Sequence, residues 1–125
     1  MIDHMTFRVS DIARTWSFYA AALAPLGYLP AYDVVHDGVR VLGFACDSKI
    51  DTWFVSAADV TTRCHLAWRA PNRAAVDAFY AAAMAAGARD NGAPGLRPHY
   101  HPGYYGAFVI DPEGNNVEAV CHDPE

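Results

Sequence analysis

The stretch HMTFRVSDIARTWSFYAAALA, residues 4–24, decides the fold because it returns as HLAWRAPNRAAVDAFYAAAMA, residues 65–85. The two stretches are identical at nine of 21 positions, which include the first histidine, the arginine four residues later and the Phe-Tyr pair. Repeats of this kind arise when one supersecondary unit is used more than once in a chain. The sequence therefore predicts two copies of one folding unit.

Each copy predicts a strand followed by a helix. Polar and apolar side chains alternate over residues 4–9 and again over residues 65–69, as in a strand with one buried face. A Ser-Asp or Pro-Asn cap signal follows, and apolar residues then recur at helical spacing until Gly27 in the first copy and Gly87 in the second. The histidine and the arginine of each copy share the polar face of their strand, whereas the helices are expected to cover the apolar faces.

Strand and turn signals fill the rest of each copy. The further predicted strands are Leu29–His36, Val39–Cys46, residues 52–56, Tyr105–Ile110 and Asn116–Cys121. The turn DPEGN, residues 111–115, joins the last two strands, and its Glu113 is expected to be solvated. Residues 91–104 form one long irregular piece, part of which must supply the second strand of copy two.

The predicted fold class is α+β. Two tandem βαβββ modules are expected to form a cupped, barrel-like mixed sheet with the helices outside. Module one takes about residues 1–57 and module two about residues 62–122. Together they make a single domain, residues 1–125.

Composition narrows the classes of function. The formal net charge is −5 and no cluster of Lys or Arg is present, so nucleic acid, which requires a basic surface, is not an expected partner. No apolar run approaches the roughly 20 residues of a membrane span, and the first residues do not read as a signal peptide. We expect a cytoplasmic protein that does not bind membranes. Its three cysteines, Cys46, Cys64 and Cys121, are expected to be buried free thiols.

Three potential metal ligands occupy related positions. His4 and His65 begin equivalent strands, and Glu118 lies inside the apolar last strand, where an uncompensated carboxylate would be costly. On the concave face of the sheet the two imidazoles and the carboxylate would converge as a facial triad, which binds a divalent first-row metal and leaves coordination positions open. Alternatively, Glu118 forms an ion pair with Arg8 or Arg69, which share that face.

Three stretches carry a family resemblance: IDHMTFRVSD from residue 2, CHLAWRA from residue 64 and FVIDPEGNNVEAV from residue 108. They resemble the signature stretches of the vicinal-oxygen-chelate superfamily, which includes glyoxalase I, extradiol dioxygenases, fosfomycin-resistance thiol transferases and bleomycin-resistance proteins. The resemblance implies one divalent metal ion per site, Fe, Mn, Ni, Co or Zn, held by His4, His65 and Glu118. It also implies a homodimer in which the site is built within one chain or across the two chains.

One position departs from glyoxalase I, which the chain otherwise resembles. That enzyme draws a fourth ligand, a carboxylate, from the last strand of its first copy, where this chain reads DTWFV from residue 51. Aligning the two copies places Phe54, or Trp53 after a one-residue slip, opposite Glu118. Neither side chain binds metals, so a three-ligand site closer to those of the dioxygenases and thiol transferases is expected.

Other side chains are assigned to the expected site. Glu118 is the first candidate for carrying protons, and His101 and Tyr104 are further catalytic candidates, although the tyrosines also fit ordinary packing. The candidate substrate-binding residues are Thr6, Arg8, Arg69 and Tyr105. His99 and His101 could instead form a separate H-x-H chelate.

Two classes of function follow from the resemblance. The first is a metal-dependent enzyme acting on a small substrate with vicinal oxygens, by lyase or isomerase chemistry or as an extradiol-type oxidoreductase. The second is a non-catalytic protein that sequesters a drug, as the bleomycin-resistance relatives do. A thiol transferase of the fosfomycin-resistance type ranks below both, because the chain lacks an obvious basic patch for a phosphonate. Retention of all three ligand positions favours the enzyme.

Overall fold

The computed structural model describes residues 1–123 and has the predicted α+β class. Module one contains β1 (Met5–Val9), α1 (Ile12–Leu23), a 3₁₀ helix (Ala24–Leu26), β2 (Leu29–His36), β3 (Val39–Cys46) and β4 (Lys49–Ser56). Module two contains β5 (His65–Arg69), α2 (Arg73–Ala85), β6 (Arg89–Leu96), β7 (Tyr105–Ile110) and β8 (Asn116–Cys121). The repeated strand-helix-strand-strand-strand order is confirmed.

Each module forms one mixed sheet of four strands. The strand orders are β1-β4-β3-β2 and β5-β8-β7-β6. In each sheet the first and last strands of the module pair in parallel, and the remaining pairs are antiparallel. Over residues 1–123 the two sheets form a cupped surface and do not close into a barrel. The parallel pairing places β5, with His65, directly beside the strand that carries Glu118.

Both helices begin at the predicted caps. The Asp11 carboxylate accepts a hydrogen bond from the backbone N–H of Arg14 (3.0 Å), and the Asn72 side chain accepts one from Ala75 (2.8 Å). After α1 the 3₁₀ helix ends at Gly27, whose φ of 88° lies in the left-handed region that favours glycine. The cap and stop signals of the sequence thus act where they were predicted.

One continuous apolar core joins the two modules. Phe7 and Val9 of β1 and Trp68 of β5 are buried while the polar residues between them are exposed, which confirms the predicted alternation. The Trp68 ring lies 6.1 Å from the ring of Tyr19 on α1, and its Nε1 donates a hydrogen bond to Thr52 Oγ1 of β4 (3.4 Å). A side chain of module two therefore completes the core of module one.

The turn between β7 and β8 fastens module two to α1. Asp111 accepts a hydrogen bond from the hydroxyl of Tyr19 (2.5 Å), and Glu113 Oε1 accepts hydrogen bonds from Ser10 N (2.7 Å) and Ser10 Oγ (2.6 Å). The expectation that Glu113 is solvated is wrong, because its side chain is only 9% exposed. It satisfies a backbone donor at the start of α1, where a negative charge is favourable.

The irregular piece of the sequence contains a complete strand. β6 covers most of its first half, and the register of β6 with β7 shifts between Asp90 and Gly92 and again between Gly92 and Gly95. Bulges of this kind accommodate the glycines that hide the strand pattern in the sequence. The prediction that this segment supplies the second strand of module two is confirmed.

Two expectations from composition can be compared with the structure. No helix within residues 1–123 has the length and apolar character needed to cross a membrane. The three cysteines are free, as predicted, but only Cys121 is buried, whereas Cys46 and Cys64 are partly exposed.

Candidate functional site

Glu118 lies in the second sheet between two partners. Its side chain is 1% exposed, and Oε2 lies 3.1 Å from Nε2 of His65. Its other oxygen, Oε1, accepts a hydrogen bond from the hydroxyl of Tyr104. The strand of Glu118, β8, lies between β5 and β7. His65 is the first residue of β5, and Tyr104 directly precedes β7. The structure thus brings together three of the predicted site residues.

Gly106 on β7 makes room for this cluster. A Cβ at this position would lie 3.0 Å from Glu118 Oε1 and 3.1 Å from Tyr104 Cε1. A side chain here would therefore require the carboxylate or the phenol to move by a few tenths of an ångström. Glycine allows the close approach of Glu118 and Tyr104 to β7.

The tautomer of His65 follows from its second hydrogen bond. Nδ1 lies 3.0 Å from the backbone carbonyl oxygen of Asn116. A carbonyl oxygen can only accept, so Nδ1 carries a proton and donates it. Nε2, which faces Glu118, is then either a free lone pair or the second N–H of an imidazolium. A backbone carbonyl behind one ring nitrogen is the usual support for a histidine that binds a metal through the other.

The electrostatics of the cluster are dominated by burial. Burial raises the pKa of Glu118, and the hydrogen bond from Tyr104 and the charges of His65 and Arg97 offset this only in part. Burial, together with the hydrogen bond to Glu118 and its charge, raises the pKa of Tyr104 well above the ordinary value for a phenol. At neutral pH the phenol is therefore the proton donor of the pair.

His4 lies apart from this cluster. Its Nδ1 is 2.8 Å from Asp3 Oδ1, and the ring is half-exposed. It lines a cavity of about 250 Å³ together with Ala67, the register partner of Glu118 on β5. Within residues 1–123 no three His, Cys, Asp or Glu side chains are placed to hold one metal ion.

The two arginines of the repeat have other partners. Arg8 Nη2 lies 2.6 Å from Asp59, and Arg69 Nη2 lies 4.0 Å from Asp123. The alternative in which Glu118 forms an ion pair with one of them is wrong, because the nitrogen next to its carboxylate is Nε2 of His65, at 3.1 Å. Their use in substrate binding stays a prediction.

The remaining predicted residues divide between two places. His101 Nε2 lies 2.8 Å from His122 Nδ1, and both rings pack against Tyr104 at 5.3 and 5.2 Å. Tyr105 instead donates a hydrogen bond to Asp77 of α2 (2.7 Å), so its hydroxyl lies with the helix and away from Glu118. His99 packs on the neighbouring Tyr100 ring at 4.3 Å.

Sequence reasoning missed three residues around the cluster. Phe108 stacks on His65 with ring centroids 6.2 Å apart, and the guanidinium of Arg97 lies 5.5 Å from the centre of the Phe108 ring. His122 pairs with His101. The alternation of β7 could have indicated Phe108, which faces Glu118 in the register. The other two lie outside regular strands, where sequence patterns carry little information.

The family follows from a match over nearly the whole chain. Residues 1–119 match the model of the Glyoxalase/Bleomycin resistance protein/Dioxygenase superfamily. The chain belongs to this superfamily. The resemblance noted from the three sequence stretches is thereby confirmed. Among curated protein sequences none matches the chain.

Solved structures of the superfamily share the fold. A glyoxalase/bleomycin resistance protein from Albidiferax ferrireducens is 24% identical with a TM-score of 0.73, and the match covers 97% of this chain and 98% of that one. Glyoxalase I from Zea mays is 18% identical with a TM-score of 0.71, covering 99% of this chain and 45% of that one. A mutant of the genomically encoded fosfomycin resistance protein from Listeria monocytogenes, complexed with Mn(II) and a dihydroxypropylphosphonic acid, is 15% identical with a TM-score of 0.70, covering 95% and 90%.

The strand register settles which residue of module one corresponds to Glu118. Glu118 pairs with Ala67 in module two, and the equivalent residue to Ala67, Thr6, pairs with Trp53. Trp53 therefore occupies the position, and Phe54, the other possibility, lies in the core. Trp53 packs edge-on against Tyr32 with ring centroids 5.2 Å apart. In this member of the superfamily, the carboxylate position of module two is an aromatic packing position in module one.

Proposed function

We propose that this protein is a metal-dependent enzyme that acts on a small substrate with vicinal oxygen atoms. The observation that carries the proposal is the 3.1 Å contact between His65 Nε2 and the buried carboxylate of Glu118. Membership of the superfamily makes lyase, isomerase and extradiol-dioxygenase reactions the candidate classes.

The donor set fits a divalent cation. A carboxylate that is 1% exposed requires a compensating charge, which a metal ion supplies. With its proton on Nδ1, neutral His65 directs a lone pair at that carboxylate, and this contact is unfavourable unless a proton or a cation lies between the two groups. Imidazole and carboxylate ligands together suit Fe, Mn, Ni, Co or Zn.

His4 is the proposed third ligand, and we place it on the second chain of a homodimer. Within residues 1–123 of one chain His4 is not placed with His65 and Glu118 to hold one ion, and its Nδ1 contact with Asp3 at 2.8 Å would support metal binding through Nε2. A second copy could supply its half-exposed His4 while the pair of His65 and Glu118 stays in place. The same argument predicts two equivalent sites per dimer.

The protein groups around the site would hold and move protons. The bound ion would supply Lewis-acid stabilisation of a developing oxyanion, worth several kcal/mol. Tyr104, which keeps its proton at neutral pH, donates a hydrogen bond that orients Glu118. Glu118 has a raised pKa and is the group best able to accept and return a proton. His101, which contacts Tyr104 and His122, is the connection from this cluster towards solvent.

Metal analysis of the untagged protein, purified without a chelator, tests the proposal. We expect about one divalent ion per chain, and less than about a tenth of an equivalent with no rebinding would overturn the proposal. His65→Ala should weaken metal binding by about 100-fold or more because a direct ligand is lost. His36→Ala is the matched control, because His36 contacts Tyr32 on β2, remote from β8. Equal loss in both variants would show that the site is misplaced.

Activity assays then separate the candidate reactions. An anaerobic Fe(II) sample should develop ligand-to-metal absorbance with catechols if the protein is an extradiol-type oxidoreductase, whereas turnover of a hemithioacetal with nickel or zinc would indicate glyoxalase chemistry. Drug binding by the metal-free protein, without metal uptake, would instead identify the drug-sequestering class. Trp53, in the place of a fourth carboxylate, favours the first assay.

A further inference from the structure

A second cavity adjoins the candidate metal centre. It has a volume of about 260 Å³ and is lined by Asn91, Gly92, Arg97, His99, Tyr100, Phe108 and Asn116. Two of these residues also hold His65: Phe108 stacks on its ring, and the Asn116 carbonyl accepts its Nδ1 hydrogen bond. A molecule in this cavity would therefore lie beside the imidazole that faces Glu118. The volume suits a small molecule, because cavities for drug-sized ligands are usually larger.

Arg97 is fixed in this cavity. Its Nη2 donates to the carbonyl oxygen of Ala93 (2.7 Å), its Nη1 to that of Leu96 (3.4 Å), and the guanidinium lies 5.5 Å from the centre of the Phe108 ring. Cβ atoms at Gly92 and Gly95 would lie 3.3 and 3.1 Å from its two terminal nitrogens. The guanidinium thus lies close to the glycine backbone of β6, and a side chain there would require it to move by a few tenths of an ångström.

Within residues 1–123 no carboxylate forms an ion pair with Arg97, whose charge acts on Glu118 only from a longer distance. Arg8, Arg14 and Arg40 each lie within 4.0 Å of a carboxylate, but no carboxylate within residues 1–123 comes that close to Arg97. Two backbone carbonyls use only part of the five N–H donors of a guanidinium. A partly buried cation with free donors beside a cavity is suited to a ligand that carries a negative charge.

Arg97 is also tied to the candidate catalytic cluster through the backbone. Its N–H donates to the carbonyl oxygen of Tyr104 (2.8 Å), and its own carbonyl accepts from Tyr100 N–H (2.9 Å). The turn that positions the guanidinium therefore also positions the phenol that hydrogen-bonds Glu118. Arg97 and the proposed metal ligand Glu118 are therefore linked through Tyr104.

We infer that this cavity binds the carboxylate of the substrate, and that Arg97 is the residue that selects for it. The substrate would then be a small organic acid, such as an α-hydroxy or α-keto acid, in which one of the two vicinal oxygens belongs to the carboxylate itself. The part concerning the vicinal oxygens rests on the proposed function. The part concerning the carboxylate does not, because Arg97, Phe108 and the glycines of β6 are independent of a metal. A planar guanidinium pairs with a carboxylate through two parallel hydrogen bonds.

Lactate and its uncharged isostere lactamide test the inference. Their affinities are measured by backbone amide and Arg97 Nε–H chemical shifts, once with chelator-treated protein and once with metal-loaded protein. We expect the metal-free protein to bind lactate at least about tenfold more tightly than lactamide, because a charge-assisted pair is lost with the amide. Equal affinities for the two compounds in metal-free protein would overturn the carboxylate site, whatever the metal measurements show.

Three variants assign the effect to Arg97. Arg97→Gln should reduce the lactate affinity of the metal-free protein to that of lactamide. Arg89→Gln removes the same charge from β6 outside this cavity and should leave lactate affinity within about twofold, since exposed charges contribute little. If Arg97→Gln fails to fold, Arg97→Lys carries the test, because an ammonium keeps the charge but loses the planar pair of donors and should bind lactate more weakly. Wild-type lactate affinity in Arg97→Gln or in Arg97→Lys, or an equal loss in Arg89→Gln, would contradict the assignment.

Discussion

Glu113 shows how one carboxylate stabilises the start of a helix that is remote in sequence. Burial alone would raise its pKa, but the hydrogen bonds from Ser10 and Asp11 and the charge of Arg14 outweigh burial and lower the pKa below the ordinary value of 4.5. The folded state therefore favours the ionised form. The resulting stabilisation is fully present above pH 4.5 and is lost as pH falls through the lowered pKa of the folded protein.

Replacement of Glu113 tests this linkage. At pH 7 we expect Glu113→Gln to lower the free energy of unfolding by about 1–3 kcal/mol, because charge-assisted hydrogen bonds to Ser10 are weakened. The difference from wild type should shrink as pH falls below 4.5, as measured by urea unfolding across the pH range. Asp59→Asn removes an exposed ion pair with Arg8 and should cost less than about 1 kcal/mol. A deficit in Glu113→Gln that does not change with pH would contradict the assignment.

At the level of single residues, the sequence predicted those site residues that stand out from the local pattern of polar and apolar side chains. Glu118 is visible as one carboxylate within an apolar strand, and its burial is confirmed. Glu113 was misinterpreted because carboxylates in turns are usually solvated and its partner Ser10 lies 103 residues away. Arg97 was missed for a related reason, since its contacts are with backbone carbonyls and a ring that no spacing rule identifies.

The strands and helices were predictable because each carries its own periodicity and caps, but their register was not. Aligning the two copies by sequence placed Phe54 opposite Glu118, whereas the structure places Trp53 there. The register of β3 with β4 shifts between Phe44 and Ala45, and such a bulge moves the equivalence by one residue. Sequence letters alone do not indicate where a bulge lies.

The repeat provides a matched pair of tyrosines on α1 and α2. Tyr19 is buried and donates to Asp111 at 2.5 Å, whereas the equivalent Tyr80 donates to the exposed Asp90 at 3.0 Å. We expect Tyr19→Phe to lower the free energy of unfolding by about 1–3 kcal/mol, because the buried carboxylate loses a donor. Tyr80→Phe should cost less than about 1 kcal/mol by the same urea measurement. Equal costs would show that the link between α1 and the β7–β8 turn does not stabilise the protein.

At the scale of the whole molecule, the sequence predicted the duplicated fold, because the repeat and the order of elements extend over the entire chain. It did not decide how His4 would reach the other proposed ligands, since that depends on how modules or chains are arranged. In the single chain His65 and Glu118 are together and His4 contacts Asp3. The assembly is therefore the part that requires a direct experiment.

Mixing two variants, His4→Ala and His65→Ala, distinguishes the two assemblies. Each variant lacks one proposed ligand in every site. If sites are shared across a homodimer, a mixed dimer regains one intact site, so random exchange of subunits should restore about a quarter of the wild-type metal sites. If each site is built within one chain, mixing restores none. Metal content and size-exclusion mass, measured before and after subunit exchange, give the answer.

The hydrogen bond between Tyr19 and Asp111 also has a consequence in time. The two residues lie 92 positions apart, so at the rate of protein synthesis, about 5–20 residues per second, roughly 5–20 s separate their appearance. Trp68, which covers Tyr19 and donates to Thr52, likewise arrives after all four strands of module one. During synthesis on the ribosome, the ring of Tyr19 in module one therefore stays uncovered until the start of module two has been made.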